Sequence, residues 1–242
     1  MAKNSGTQFN CFSPPVMIAT IIVESGLLIY TLWRYKLTTL SRLVALCLLA
    51  LAVFQISEYN VCTYSGLGLV NWSRIGYVAI TLLPPLGLHI LHVLADKPKR
   101  RLVIASYISM LGFIAYFLNY HSAFIGYQCT GNYVIFQIGL KSSLAYGLYY
   151  YGWLLTAMVY GAIWARQLAK QGSAEFRRLK TIRALILGYL VFLVPTALVY
   201  SVNPSSRRGI PSIMCGFAVL FAVILTVYIL PLAAGTRQNK II

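Results

Sequence analysis

Seven apolar stretches, each about as long as a bilayer is thick, divide this chain: residues 15–33, 40–57, 75–95, 102–120, 144–164, 182–202 and 212–232. A helix crossing a membrane needs roughly 20 mostly apolar residues. Lipid offers the backbone no water, so such stretches must pair their own amides as helices. The strands of a membrane barrel would be shorter and would alternate apolar with polar; these runs do not. The pattern predicts an all-α membrane protein, a single seven-helix bundle over residues 1–242. Polar residues break it at few places. Glu24 interrupts the first helix, and the second ends in the string FQISEYNVC. The third carries Pro84-Pro85 followed by HILH, and the sixth carries Pro195. The GYQCTGNY connection has the Gly and Tyr content of a turn-rich segment with some order. The segment RQLAKQGSAEFRRLKTIR is expected to prolong the helices on either side of it. No internal repeat or low-complexity segment is visible.

Composition agrees: 59% of the residues are hydrophobic, and the mean hydropathy is +0.74. The connections are too short for a soluble catalytic or DNA-binding domain. The net charge of +16 would point to nucleic acid in a soluble protein, but its placement points elsewhere. Arg34, Lys36 and Arg42 follow helix 1; Lys97, Lys99, Arg100 and Arg101 follow helix 3. Arg166, Lys170, Arg177, Arg178, Lys180 and Arg183 follow helix 5, and Arg237 and Lys240 follow helix 7. Only Lys3, Arg74, Lys141, Arg207 and Arg208 fall on the other side. Cytoplasmic loops collect Lys and Arg, so the N-terminus is expected outside and the C-terminus inside, with the basic loops against anionic lipid headgroups. No nucleic-acid partner is expected. No cleavable signal is visible before helix 1, which is expected to remain as an anchor.

This topology puts Cys11, Cys62, Cys129 and Cys215 toward the outer face, where an oxidising compartment permits disulfides. Four cysteines allow three connectivities. Cys62 and Cys129, in polar outer loops, are the candidate pair; Cys47 and Cys215 read as small core residues.

Few residues are candidates for chemistry. A carboxyl at mid-membrane is costly, roughly 2.5–3.5 kcal/mol on insertion scales, so Glu24 should face the bundle interior. It is either a proton or ligand site or one end of an interhelical hydrogen bond to Tyr, Ser or Gln. Gln55 and Glu58 share a helix face; Glu58 either pairs with Arg74 at headgroup level or forms the polar floor of an outward pocket. His89 and His92 share a face too, and read as core or interfacial residues rather than metal ligands. The stripe Tyr146, Tyr150, Trp153, Ala157, Tyr160 either lines a ligand pocket or is packing and interfacial belt. Helix 7 has no lysine for a retinal Schiff base, and no nucleophile, base and orienter stand at one depth as a hydrolase requires. No catalytic residue, cofactor or metal is therefore expected.

The LSRL start of helix 2, Phe54 to Glu58 at its end, WSRIGYVAITLLPPLGLHIL through helix 3 and the basic DKPKRR link together resemble a known family. It is the seven-helix N-terminal sensor region of bacterial histidine kinases and diguanylate cyclases. The resemblance covers roughly residues 40–120, with Phe54, Glu58, Trp72 and Pro84 at the family's characteristic positions. The output domain that follows such sensors is not present in this sequence. The resemblance implies a multi-pass sensor of the bacterial cytoplasmic membrane, signalling through a separate cytoplasmic partner. The expected site for a small or lipidic ligand is Glu24, Gln55, Glu58, Tyr146, Tyr150 and Trp153. The alternative is a small-solute or proton-coupled transporter using Glu24.

Overall fold

The computed structural model describes residues 14–63, 69–97, 100–120, 123–129, 134–171, 175–202 and 209–233. Cys11 and several basic residues of the tail and loops lie outside them. The elements are α1 (Pro14–Arg34), α2 (Thr39–Thr63), α3 (Leu69–Thr81), α4 (Leu83–Ala95), α5 (Arg100–Asn119), β1 (Phe124–Cys129), β2 (Val134–Ile138), α6 (Leu140–Ala169), α7 (Phe176–Val202), α8 (Ile210–Val223) and α9 (Leu230–Ala233). A π-helical turn, Ile224–Ile229, joins α8 to α9. Six helical rods are long and apolar enough to cross a membrane. The seventh, α6, has 30 residues, but its tyrosines and tryptophans dilute its hydropathy and it is not among the six.

Helices outrun the apolar windows where polar side chains bond back to their own backbone. In α2 the Ser57, Asn60 and Thr63 side chains donate to the carbonyls four residues earlier, at 2.8, 2.7 and 2.9 Å. These bonds keep the polar string helical as far as Thr63. The connection expected only to be turn-rich is a β-hairpin: β1 and β2 pair antiparallel, with an irregularity between Phe124 and Gly126. A disulfide joins Cys62, at the end of α2, to Cys129 of β1, with the Cα atoms 5.8 Å apart. Beneath the hairpin, Tyr77 packs against Phe117, Phe124, Phe136 and Tyr146 at centroid distances of 5.1 to 5.7 Å.

The proline pair splits the third rod at Leu82. Neither Pro84 nor Pro85 has an N–H, so the carbonyls of Ile80 and Thr81 lose their usual donors. The Leu82 N–H closes a tighter turn onto Ala79 at 3.2 Å. The freed Thr81 carbonyl accepts the Tyr149 hydroxyl from α6 at 2.7 Å. The Thr81 hydroxyl donates to the Tyr77 carbonyl at 2.6 Å and meets the Tyr146 hydroxyl at 3.1 Å. Tyr149→Phe should therefore destabilise the protein by about 1–2 kcal/mol, the cost of an orphaned buried carbonyl. In a Pro85→Ala background, where residue 85 regains a donor, the effect should largely vanish. Thermal unfolding of the four proteins of this cycle measures it, and an equal loss in both backgrounds would count against the account.

At the opposite end Arg178 bonds Asp96 at 3.0 Å and Glu175 at 3.3 Å, and Lys97 donates to Gln167 at 2.7 Å. These pairs join α4, α6 and α7. The Arg178–Asp96 pair is exposed, so it orients the ends more than it stabilises them. Closer in, the Cβ that Gly87 lacks would overlap the Tyr189 hydroxyl, so α4 and α7 can approach only because that position is glycine.

A buried carboxyl pair as the candidate functional site

The rod α1 touches the bundle mainly along α2 and α8 and is otherwise exposed. Its buried residues are Met17, Glu24 and Thr31, followed by Tyr35 just past its end. Met17, Glu24 and Thr31 recur every seven residues, a single narrow stripe of one helix, and the middle of that stripe is polar. On α2, Cys47, Gln55 and Glu58 fall within an arc of about 80° at 3.6 residues per turn. All three are buried.

Glu24 and Glu58 are near enough to interact electrostatically, and Gln55 stands one turn from Glu58. The Cys47 thiol lies within electrostatic range of Glu24 and the Cys215 thiol within range of both carboxyls, and Tyr77 of α3 lies within range of Glu58. Ser212 of α8 faces the Glu58 carboxyl. Among the described residues, neither oxygen of Glu24, neither oxygen of Glu58 and neither amide atom of Gln55 has a hydrogen-bond partner. Three buried polar groups left open at one place are costly, roughly 1–3 kcal/mol each. Buried polar groups of folded proteins are otherwise nearly always satisfied. Such a set can hold protons, receive the donors of a guest, or both.

An apolar cavity of about 20 Å³, room for about one water, lies near this cluster. Its walls include Cys47 and Leu51 of α2, Tyr150 of α6, Tyr189 of α7, and Cys215 and Phe221 of α8. Cys47 and Cys215 belong to both places.

The structure sorts the sequence candidates. Glu24, Gln55 and Glu58 are buried as a group, and Tyr150 lines the nearby cavity. Tyr146 instead belongs to the aromatic cluster under the hairpin, its hydroxyl on Thr81. Trp153 points the other way, donating from Nε1 to Ser109 of α5 at 2.9 Å. The ion pair considered for Glu58 and Arg74 is not formed: Glu58 lies inside the bundle, and Arg74 Nε has no hydrogen-bond partner among the described residues. Neither does Glu24 make the interhelical hydrogen bond considered for it with any of the described residues. His89 Nδ1 meets the Tyr107 hydroxyl at 3.1 Å, and His92 Nδ1 meets the Leu88 carbonyl at 2.8 Å, with its ring edge-on to Trp164. Both histidines are engaged in packing. Of the residues with family-like positions, Phe54 is fully buried against Phe136 and Trp72 is half-buried at the start of α3.

Sequence reasoning missed three contributors. Cys47 and Cys215 read as apolar filler because a lone cysteine on an apolar helix carries no sign of its neighbours. Thr31 had a legible signal: it stands seven residues after Glu24, on the same helix face. No protein-family model matches this chain, and no curated protein matches its sequence.

Proposed function

We propose that this chain is a non-enzymatic, seven-helix membrane receptor. It holds a small polar or lipidic molecule at Glu24, Gln55 and Glu58. The observation that carries this reading is the group of six polar atoms of Glu24, Gln55 and Glu58 buried without hydrogen-bond partners among the described residues: a guest bearing donors is complementary to them. The α6 rod is the seventh span, its aromatics facing the interior and the interfaces.

The hairpin end is the outer end in this reading, and its disulfide suits an oxidising compartment. The opposite end carries Arg34, Lys36, Arg42, Lys97, Arg101, Arg166, Lys170 and the basic start of α7, which supports a cytoplasmic placement. There it contacts anionic lipid and a signalling partner. The resemblance of residues 40–120 to bacterial sensor regions supports the same function and the bacterial cytoplasmic membrane.

Native mass spectrometry of the protein released from its own membrane tests the reading. The expected result is a non-covalent adduct on the wild type, lost in Glu24→Gln/Glu58→Gln while helicity is unchanged. A wild type that never carries an adduct overturns it. The interruption of the third rod at Leu82 favours a second reading, a solute transporter, because transporters bind at broken helices near mid-membrane. Access to Glu24 alternating between the two sides would mark that case.

A further inference from the structure

We propose that the seam between α1 and α2 is a one-ended proton well. Protons are admitted at the hairpin end through Glu58, come to rest on Glu24, and are kept from the opposite end by the Arg34 guanidinium. The idea is independent of the receptor reading, because it needs no ligand.

The groups stand in axial order. Glu58 is close to the hairpin end of α2, which ends at Thr63, and Gln55 is about 4.5 Å deeper at 1.5 Å per residue. Glu24 lies about 15 Å from the start of α1 by the same rise. Thr31 is about 10 Å further along that helix and Arg34 about 4.5 Å beyond Thr31, at its last residue. Since α1 and α2 run antiparallel, joined by the short segment 35–38, descending α2 from Glu58 and ascending α1 past Glu24 follow one direction. Besides the six atoms of Glu24, Gln55 and Glu58, the Thr31 hydroxyl and Arg34 Nη1 are buried with no hydrogen-bond partner among the described residues. The open polar atoms therefore trace the seam from one end to the other.

Carboxyl, amide and hydroxyl groups can carry a proton or hold the water that passes it. Guanidinium cannot: it stays protonated, and a fixed positive charge in a narrow path repels an incoming proton. In the transfer step, Glu58 takes a proton from water at the hairpin end. Its O–H bond then breaks as the proton passes to a water held at Gln55, and that water gives one of its own protons to the Glu24 carboxylate, forming an O–H bond there. Glu58 is left as a carboxylate ready for the next proton, so the number of buried charges does not change. The groups within electrostatic range are the Cys47 thiol on α2 for Glu24, the Tyr77 phenol on α3 for Glu58, and the Cys215 thiol on α8 for both, with the Ser212 hydroxyl of α8 on Glu58.

Two measurements test the proposal. Full-length protein is reconstituted in vesicles of phosphatidylcholine and phosphatidylglycerol containing a trapped pH dye. After external acidification, wild-type vesicles should stay tight. Arg34→Gln should raise proton flux at least tenfold, and Arg34→Gln/Glu24→Gln should restore tightness. A tight Arg34→Gln, or a leak that persists without Glu24, overturns the proposal. Infrared spectra of the folded wild type do not depend on that variant folding. A protonated-carboxyl band assigned to Glu24 by its loss in Glu24→Gln should shift on transfer to D2O, and Gln55→Leu should slow that shift at least tenfold. Absence of the band in the wild type, or a shift unaffected by Gln55→Leu, overturns it.

Discussion

Glu24→Leu is expected to raise the melting temperature of this protein. A carboxyl in the middle of a helix usually repays its burial through bonded neighbours, and its removal then leaves those neighbours stranded. Glu24 has no such neighbour: both oxygens are buried without a hydrogen-bond partner among the described residues. Removing it deletes an unsatisfied group, worth about 1–3 kcal/mol, and gives α1 an apolar side chain of similar size against α2 and α8. For a chain of this length each kcal/mol moves the midpoint by about 2–4 °C. Glu24→Gln should change stability much less, because the amide is left as open as the acid. Thermal unfolding in one detergent, with wild type, Glu24→Gln and Glu24→Leu side by side, gives the answer. A clear fall for Glu24→Leu would mean that the carboxyl is held in place by bonds in the folded protein. A rise marks a residue kept at a cost to stability, the pattern expected of a functional group.

Cys62→Ser should be among the most damaging single substitutions outside the helix cores. The bond to Cys129 closes 67 residues of chain, and loops of that length give disulfides worth roughly 2–4 kcal/mol. The loss should concentrate at the hairpin end. There, β1 and β2 carry Phe124 and Phe136 onto Tyr77, with the disulfide as their covalent tie to α2. Hydrogen exchange should accelerate over residues 123–129 and 134–138 before the rest of the bundle responds. Cys129→Ser should match Cys62→Ser, and the double substitution should add nothing, because each alone removes the whole bond. Reductant should lower the wild-type midpoint and leave all three variants where they are. Additive effects of the two serines would show that the cysteines act as separate side chains.

The amino-acid sequence by itself determined the helical rods, because each rod's existence is a local matter: an apolar run of sufficient length must bond its own amides. It determined the interruption at Pro84-Pro85 for the same reason, since the absent donors belong to the prolines themselves. It also showed that Glu24 could not comfortably face lipid. Tertiary structure alone decided the rotation of each rod and the neighbours that rotation creates. Tyr146, Tyr150 and Trp153 share one stripe in sequence, yet they go to the aromatic cluster, to the cavity and to Ser109. Arg74 seemed the natural partner of Glu58, yet Glu58 turns toward Ser212 and Glu24. Cys47 and Cys215 lie 168 positions apart and both come within range of Glu24. The physical reason is common to all of these. In a water-soluble bundle the contrast between polar and apolar faces marks which side of a helix is inside. Here the rods are apolar around most of their circumference, so hydropathy does not distinguish the side that packs from the side that is exposed. That choice was left to shape, to hydroxyls such as Tyr149 finding carbonyls such as Thr81, and to the few buried polar groups.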